Sequence, residues 1–262
     1  MQLDLTGRHA LVCGASQGIG RACAIELALL GADVTVLARR ADVLAELANR
    51  LPRSHAAQRH GFLVADVADT EALRRQADDL AAARPVHILI NNSGGPPPGD
   101  IAGAEPAAFL DAYRRHLLAS HTLAQAVLPG MRAAGWGRIV NIISTSVKEP
   151  IAGIGVSNAT RGAVANWAKT LAGEVAAHGI TVNNVLPGST DTPRIAQIVA
   201  AKAQATGRSA HDVQQAMAAA IPMGRFADPA ETAAAVAFLA SPAASYITGI
   251  NLPVDGGRTR SL

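Results

Sequence analysis

"VCGASQGIGRACA" (residues 12–24) joins two kinds of chain. The apolar run "HALVCG" (9–14) reads as a strand, and "GRACAIELALLG" (20–31) as a helix that Gly31 is placed to end. Between them lie Gly14, Ser16, Gln17, Gly18, Ile19 and Gly20. Glycines here allow a tight turn and bring backbone N–H groups close to an anion at a helix N-terminus, where the dipole favours negative charge. Between a strand and a helix the pattern points to a nucleotide pyrophosphate. The alternative is a glycine-rich structural turn.

Outward from this turn, short apolar runs alternate with helical patterns. Strands are expected at "DVTVLA" (33–38), "GFLVADV" (61–67), "VHILINN" (86–92), "GRIVNIIS" (137–144), "ITVNNVLPG" (180–188) and "GINLPVDGG" (249–257). Helices are expected at 41–51, around 70–83, near 106–134 and at 157–178. The strand candidates are continuous apolar runs, as required when helices cover both faces of a sheet. The fold class is therefore α/β: a single Rossmann-type doubly wound parallel sheet with helices on both faces, in one domain over 1–262. "SGGPPPGD" (93–100) is a stiff loop. Segment 190–225 is helical and Ala-rich, and follows a strand's carboxyl end, where ligands bind in such sheets. It reads as a substrate lid or, alternatively, a surface hairpin. Its Ile195, Ile198, Val199, Met217 and Ile221 suit a hydrophobic part of a substrate, or pack the segment onto the body.

The 262 residues are 49% hydrophobic and 16% charged, enough for a sizeable core and against disorder. A formal charge of +3 with 3% aromatics excludes an obvious nucleic-acid surface. Cys13 and Cys23 form no CxxC and read as buried small residues in a reducing compartment. The start lacks a signal-peptide pattern, and the most apolar window is broken by Glu26 and Asp33. A soluble, cytoplasmic protein without a membrane or metal partner is expected.

An acidic residue ending the second strand would accept a ribose 2′-OH. That strand ends "VLARR", with Arg39 and Arg40, and a guanidinium there pairs with a 2′-phosphate. NADP(H) is expected over NAD(H).

At this point the residues resemble the short-chain dehydrogenase/reductase family, close to the 3-oxoacyl-carrier-protein reductase type, from end to end. "CGASQGIG" is similar to its TGxxxGIG, and "ADV" (65–67) to its adenine-contacting Asp-Val, here Asp66 and Val67. "NNSG" (91–94) resembles NNAG, which adds Asn92, Ser93 and Gly94 to the cofactor contacts. "VNNVLPGSTDT" (182–192) resembles the segment that holds the nicotinamide, through Pro187, Gly188, Thr190 and Thr192. The resemblance also implies a homo-oligomer, dimer or tetramer.

The family uses Asn, Ser, Tyr and Lys. The resemblance keeps Ser144, but puts Ser157 at the Tyr position, Arg161 at the Lys position and His116 at the Asn position. A serine hydroxyl is a poor general acid, and a guanidinium stays protonated. Arg161 can still bond the nicotinamide ribose or grip a carboxylate. Three replacements for the acid are open. His116 titrates near neutrality, or makes a structural bond on its helix. Lys148, in "STSVKEP", acts as a desolvated acid, or is a solvated loop lysine. A water held by Ser144, Ser157 and Arg161 relays the proton. The expected function is an NADP(H)-dependent oxidoreductase acting on a small, anionic or partly hydrophobic carbonyl or alcohol. The alternatives are a catalytically silent NADP-binding regulatory or partner protein, or a non-redox lyase or isomerase.

Overall fold

The computed structural model describes residues 1–261. Seven strands form one parallel sheet in the order β3-β2-β1-β4-β5-β6-β7. They are β1 (His9–Cys13), β2 (Asp33–Ala38), β3 (Gly61–Val64), β4 (Ile88–Asn91), β5 (Gly137–Ile142), β6 (Ile180–Pro187) and β7 (Asn251–Val254). Strand order reverses between β1 and β4, which opens a crevice beyond the carboxyl ends of the strands. Nine α-helices connect the strands among the described residues: α1 (Gly18–Leu29), α2 (Ala41–Arg50), α3 (Thr70–Ala83), α4 (Pro106–Tyr113), α5 (Ala119–Ala133), α6 (Gly155–Val175), α7 (Pro193–Thr206), α8 (Ala210–Ala219) and α9 (Pro229–Ala240). None of the described helices is long and apolar enough to cross a membrane.

The continuous apolar strands feed two cores. Ala10, Val12, Ile88, Ile90, Val140 and Ile142 point to the face packed by α1, α2 and α9. Leu11, Cys13, Leu89 and Ile139 point to the face packed by α3, α5 and α6. This is the period-two alternation of a strand buried on both sides. The cysteines are free, and they fall in different cores, Cys13 in the second and Cys23 in the first. Gly31 has φ 96°, and the N–H groups of Gly31 and Ala32 bond the carbonyls of Ala28 and Leu27, the left-handed stop expected for α1.

Three expectations need correction. The strands at 61–67 and 249–257 are shorter, Gly61–Val64 and Asn251–Val254, and both are half-exposed edge strands rather than fully covered ones. Each pairs on one side only, so its outer residues, Phe62 and Val64 among them, face solvent. The helix near 106–134 is interrupted by a single π turn, Arg114–Leu118, which holds His116. Such an extra residue is accommodated at a cost and often marks a functional site.

An asparagine ladder crosses the sheet interior. Asn91, Asn141, Asn184 and Asn251 stand at matching register on β4, β5, β6 and β7. Each side-chain amide donates to the next carbonyl oxygen, at 2.8, 2.9 and 2.8 Å. These bonds satisfy polar groups that an apolar layer would otherwise strand.

Candidate active site

The strand ends converge on a cleft in two parts. The first, about 730 Å³, lies over the crevice and is lined by Gly14, Ser16, Gln17, Arg39, Arg40, Asp66, Val67, Asn92, Ser93 and Gly94. Its floor fits a dinucleotide. Gly14 and Gly18 have φ of 60° and 56°, a region side chains avoid. A Cβ on Gly14 would lie 2.7 Å from the Asn92 carbonyl oxygen, and one on Gly20 2.7 Å from Asn92 Nδ2. Asn92 Nδ2 in turn donates to the carbonyls of Cys13 and Gly14, each at 3.4 Å. So the turn and the "NNSG" loop interlock, and glycine is the residue that fits. The Gln17 side chain makes no cap to α1 and no acid sits in its first turn, which leaves the leading N–H groups for an anion. At the end of β2, Arg40 Nη2 bonds Gln17 Oε1 at 3.4 Å, and Arg39 lines the same wall. Two cations, and no carboxylate at that strand's end, suit a 2′-phosphate. Asp66 accepts from the Ala68 N–H at 3.0 Å and faces Arg115 at 3.4 Å.

The second part, about 300 Å³, brings together Gly18, Ile19, Ser144, Ser157, Arg161, Pro187, Gly188, Thr190 and Thr192. Ser144 follows β5, and its Oγ accepts from the Ser146 N–H at 3.1 Å, so its proton is left for a partner in the cleft. Ser157 and Arg161 are one helical turn apart on α6 and share a face. Arg161 is 7% exposed and donates from Nη1 to the Ile142 carbonyl at 3.1 Å. Burial, with Arg194 nearby, brings its pKa down to about 10, so it remains a cation at neutral pH.

Neither His116 nor Lys148 lines the second part of the cleft, although His116 lines the first. His116 is buried in the π turn, with Nδ1 2.6 Å from Ser93 Oγ. Burial, then the charges of Arg161 and Arg115, lower its pKa to about 2. The expectation that it titrates near neutrality is therefore corrected: it stays neutral at working pH, because no carboxylate offsets its desolvation. It lines a small cavity of about 20 Å³ beside the cleft, together with Asn91 and Arg161. His116 Nε2 and Asn91 Oδ1 are both buried there without a protein partner. Lys148 is not among the residues lining either part of the cleft. Nor is either tyrosine. Tyr113 ends α4, and Tyr246 stands fully in solvent at 102% exposure.

The structure also adds a residue that sequence reasoning missed. Arg194, at the start of α7, enters the second part of the cleft and donates from Nη2 to the Pro96 carbonyl at 2.8 Å. The asparagine ladder was missed too, although its signal was present: an Asn recurs within each of four apolar strands. The apolar positions of 190–225 divide. Ile195 and Ile198 line the cleft, whereas Val199, Val213 and Met217 pack against one another and Ala203.

Comparison with known proteins agrees with this geometry. Residues 14–259 match a family model described as enoyl-(acyl carrier protein) reductase. The 3-oxoacyl-[acyl-carrier-protein] reductase of Pseudomonas aeruginosa is 34% identical over 259 residues, 97% of this chain and 98% of the relative. The L-sorbose reductase of Gluconobacter frateurii, solved with NADPH and L-sorbose, superposes with a TM-score of 0.92 at 31% identity, covering 100% of both chains. YwfH, an NADPH-dependent reductase involved in bacilysin biosynthesis, does so with a TM-score of 0.92 at 30% identity, over 97% of this chain and 99% of YwfH. Likeness of this length and identity leaves one assignment: the chain belongs to the short-chain dehydrogenase/reductase family and, within it, is similar to the 3-oxoacyl-[acyl-carrier-protein] reductase type.

Proposed function

We propose that the protein is an NADP(H)-dependent oxidoreductase that reduces a carbonyl group, and that the proton comes from water held by Ser144, Ser157 and Arg161 rather than from a phenol. The observation that carries this reading is the lining of the second part of the cleft. It holds the serine hydroxyls of Ser93, Ser144 and Ser157, the threonines Thr190 and Thr192 and a buried guanidinium, and no Tyr, His, Lys, Asp or Glu among the described residues. The resemblance puts Ser157 and Arg161 where its members use Tyr and Lys, so the usual proton donor is replaced rather than displaced.

NADPH supplies the hydride when bound. Gly14, Gly18 and the start of α1 receive the pyrophosphate, Arg39 and Arg40 the 2′-phosphate, and Thr190 and Thr192 the nicotinamide end. As the carbonyl carbon gains its C–H bond, the π pair moves to oxygen. Ser144 donates its free hydroxyl proton toward that oxygen as a hydrogen bond, and the fixed charge of Arg161 stabilises the developing negative charge. A proton from water then completes the alcohol, and hydroxide leaves to solvent. Ser157, one turn from Arg161, orders that water. In the same reading α7 and α8 act as a lid, with Ile195 and Ile198 turned to the substrate. Exposed Leu110, Leu118 and Tyr246 support assembly of copies of the chain.

The test is NADPH consumption against ketones, aldehydes and oxo acids from about pH 5.5 to 8.5, with NADPH binding measured by calorimetry. Turnover without a descending limb between about pH 6 and 8 is expected. A limb there restores a side-chain acid. Tight NADPH binding with no turnover on any carbonyl overturns the reductase reading.

A further inference from the structure

Arg194 has no part in the chemistry above, yet it shares the cleft with Arg161. Both guanidinium groups close on one point. A Cβ on Gly95 would lie 3.6 Å from Arg194 Nη2 and 3.9 Å from Arg161 Nη2, with no other heavy atom within 4 Å. Gly95 does not have a positive φ, so its backbone does not demand glycine. What the missing side chain provides is open space between two cations.

Among the described residues nothing neutralises that space. No Asp or Glu lines this part of the cleft, and no ion pair among the described residues includes Arg161 or Arg194. Both donate to main-chain carbonyls, Arg161 to Ile142 and Arg194 to Pro96. Holding a buried guanidinium beside a second one, without an anion, is unfavourable on both desolvation and repulsion. The direction of the Arg161 shift agrees, since Arg194 is one of its causes. An anion seated between them reverses the balance, and the planar forks match a carboxylate. The bond to Pro96 holds Arg194 on the Gly95 side of the cleft rather than toward Gln17 and Gly18. Ile154, Ile195 and Ile198 add an apolar stretch to the wall of this part of the cleft.

We infer that Arg161 and Arg194 form a two-guanidinium receptor for a carboxylate, seated over Gly95, and that the substrate is an oxo acid with a short apolar tail. The inference rests on the reductase reading for the reacting carbonyl, but the anion receptor can be tested without it.

The experiment compares 4-methyl-2-oxopentanoate with its methyl ester as NADPH-dependent substrates, and titrates oxamate into the NADP+-loaded protein by calorimetry. For the wild type, kcat/KM is expected to favour the acid by about tenfold or more. Arg194→Met is expected to remove most of that preference through KM, to weaken oxamate by about tenfold, and to leave the ester and the NADPH Kd unchanged; Arg194→Lys recovers part of the loss. If neither compound turns over but oxamate binds and Arg194→Met weakens it, the reductase reading fails and the receptor stands. Equal kcat/KM for acid and ester overturns the inference, as does oxamate failing to bind the wild type. An Arg194→Met protein that loses NADPH affinity while keeping its acid preference also overturns it, and assigns Arg194 to the cofactor pyrophosphate.

Discussion

The two parts of the cleft share the residues between them but are built differently. The floor of the dinucleotide part is mostly main chain: glycines without side chains, N–H groups at a helix start, and an asparagine that locks two loops together. The reacting part is made of side chains on α6, α7 and the loop after β5. A main-chain site tolerates few residues, because a Cβ fills it. A side-chain site can change its chemistry by exchanging one residue on an unchanged helix. The first part rests on the glycine turn, whereas the second presents Ser157, Arg161 and Arg194.

Substitutions can break this contrast, and the largest effect is expected at Arg161. Arg161→Met should lower kcat by about 100- to 1,000-fold, the usual loss of a preorganised charge at a developing oxyanion, while the NADPH Kd moves less than about tenfold. Stopped-flow rates with fluorescence binding separate the two. A kcat within tenfold of wild type would show that the guanidinium is only structural.

Acid acts next, through the fold rather than the cleft. His9 is buried at the start of β1, with Nδ1 on the Pro85 carbonyl at 3.2 Å and Nε2 on Thr35 Oγ1 at 2.8 Å. A carbonyl only accepts, so Nδ1 carries the proton and Nε2 receives the Thr35 hydroxyl. Burial, then the charge of Arg84, lowers its pKa from 6.5 to about 4. The depressed value means the neutral form is favoured by folding. Its contribution is complete above about pH 6.5 and is lost as pH falls through about 4, to a limit of about 3 kcal/mol. His116 adds in the same direction. Urea denaturation across that range should show the loss, and His9→Gln should flatten it. A stability flat from pH 7 to about 4 would refute the burial of a neutral His9.

Gly20→Ala tests the main-chain part. A Cβ 2.7 Å from Asn92 Nδ2 forces the interlock apart, at about 1–3 kcal/mol of stability and with weaker NADPH binding. Unchanged binding would mean the turn has slack that its contacts do not show. The smallest expected effect is selective. Arg39→Asp should weaken NADPH by about tenfold and NADH far less, because only the former carries a 2′-phosphate. Equal losses would remove Arg39 from that role.

Where sequence reasoning succeeded, the residue pattern and the backbone demand coincide. The glycine turn, the two-sided strands and the helix stop at Gly31 are of that kind. It failed where the outcome depended on distant neighbours. For His116 the choice between titration and a structural bond turned on desolvation from packing around a π turn that no spacing announces. Arg194 resembles any solvated arginine at a helix start until α7 folds back over Gly95 and Pro96. Lys148, open between a desolvated acid and a solvated loop lysine, follows the turn at Thr145–Val147 and is not among the residues lining the cleft.

The sequence by itself determined the sheet, its two cores and the glycine turn between β1 and α1, because period, glycine and apolar runs act locally on the chain. Only the tertiary structure decided which charges meet. Arg161 and Arg194 are thirty-three positions apart in the chain, and their convergence over Gly95 depends on how α6, α7 and the loop after β4 close on one point. Electrostatic energy depends on distance and burial, and neither is written in the order of residues.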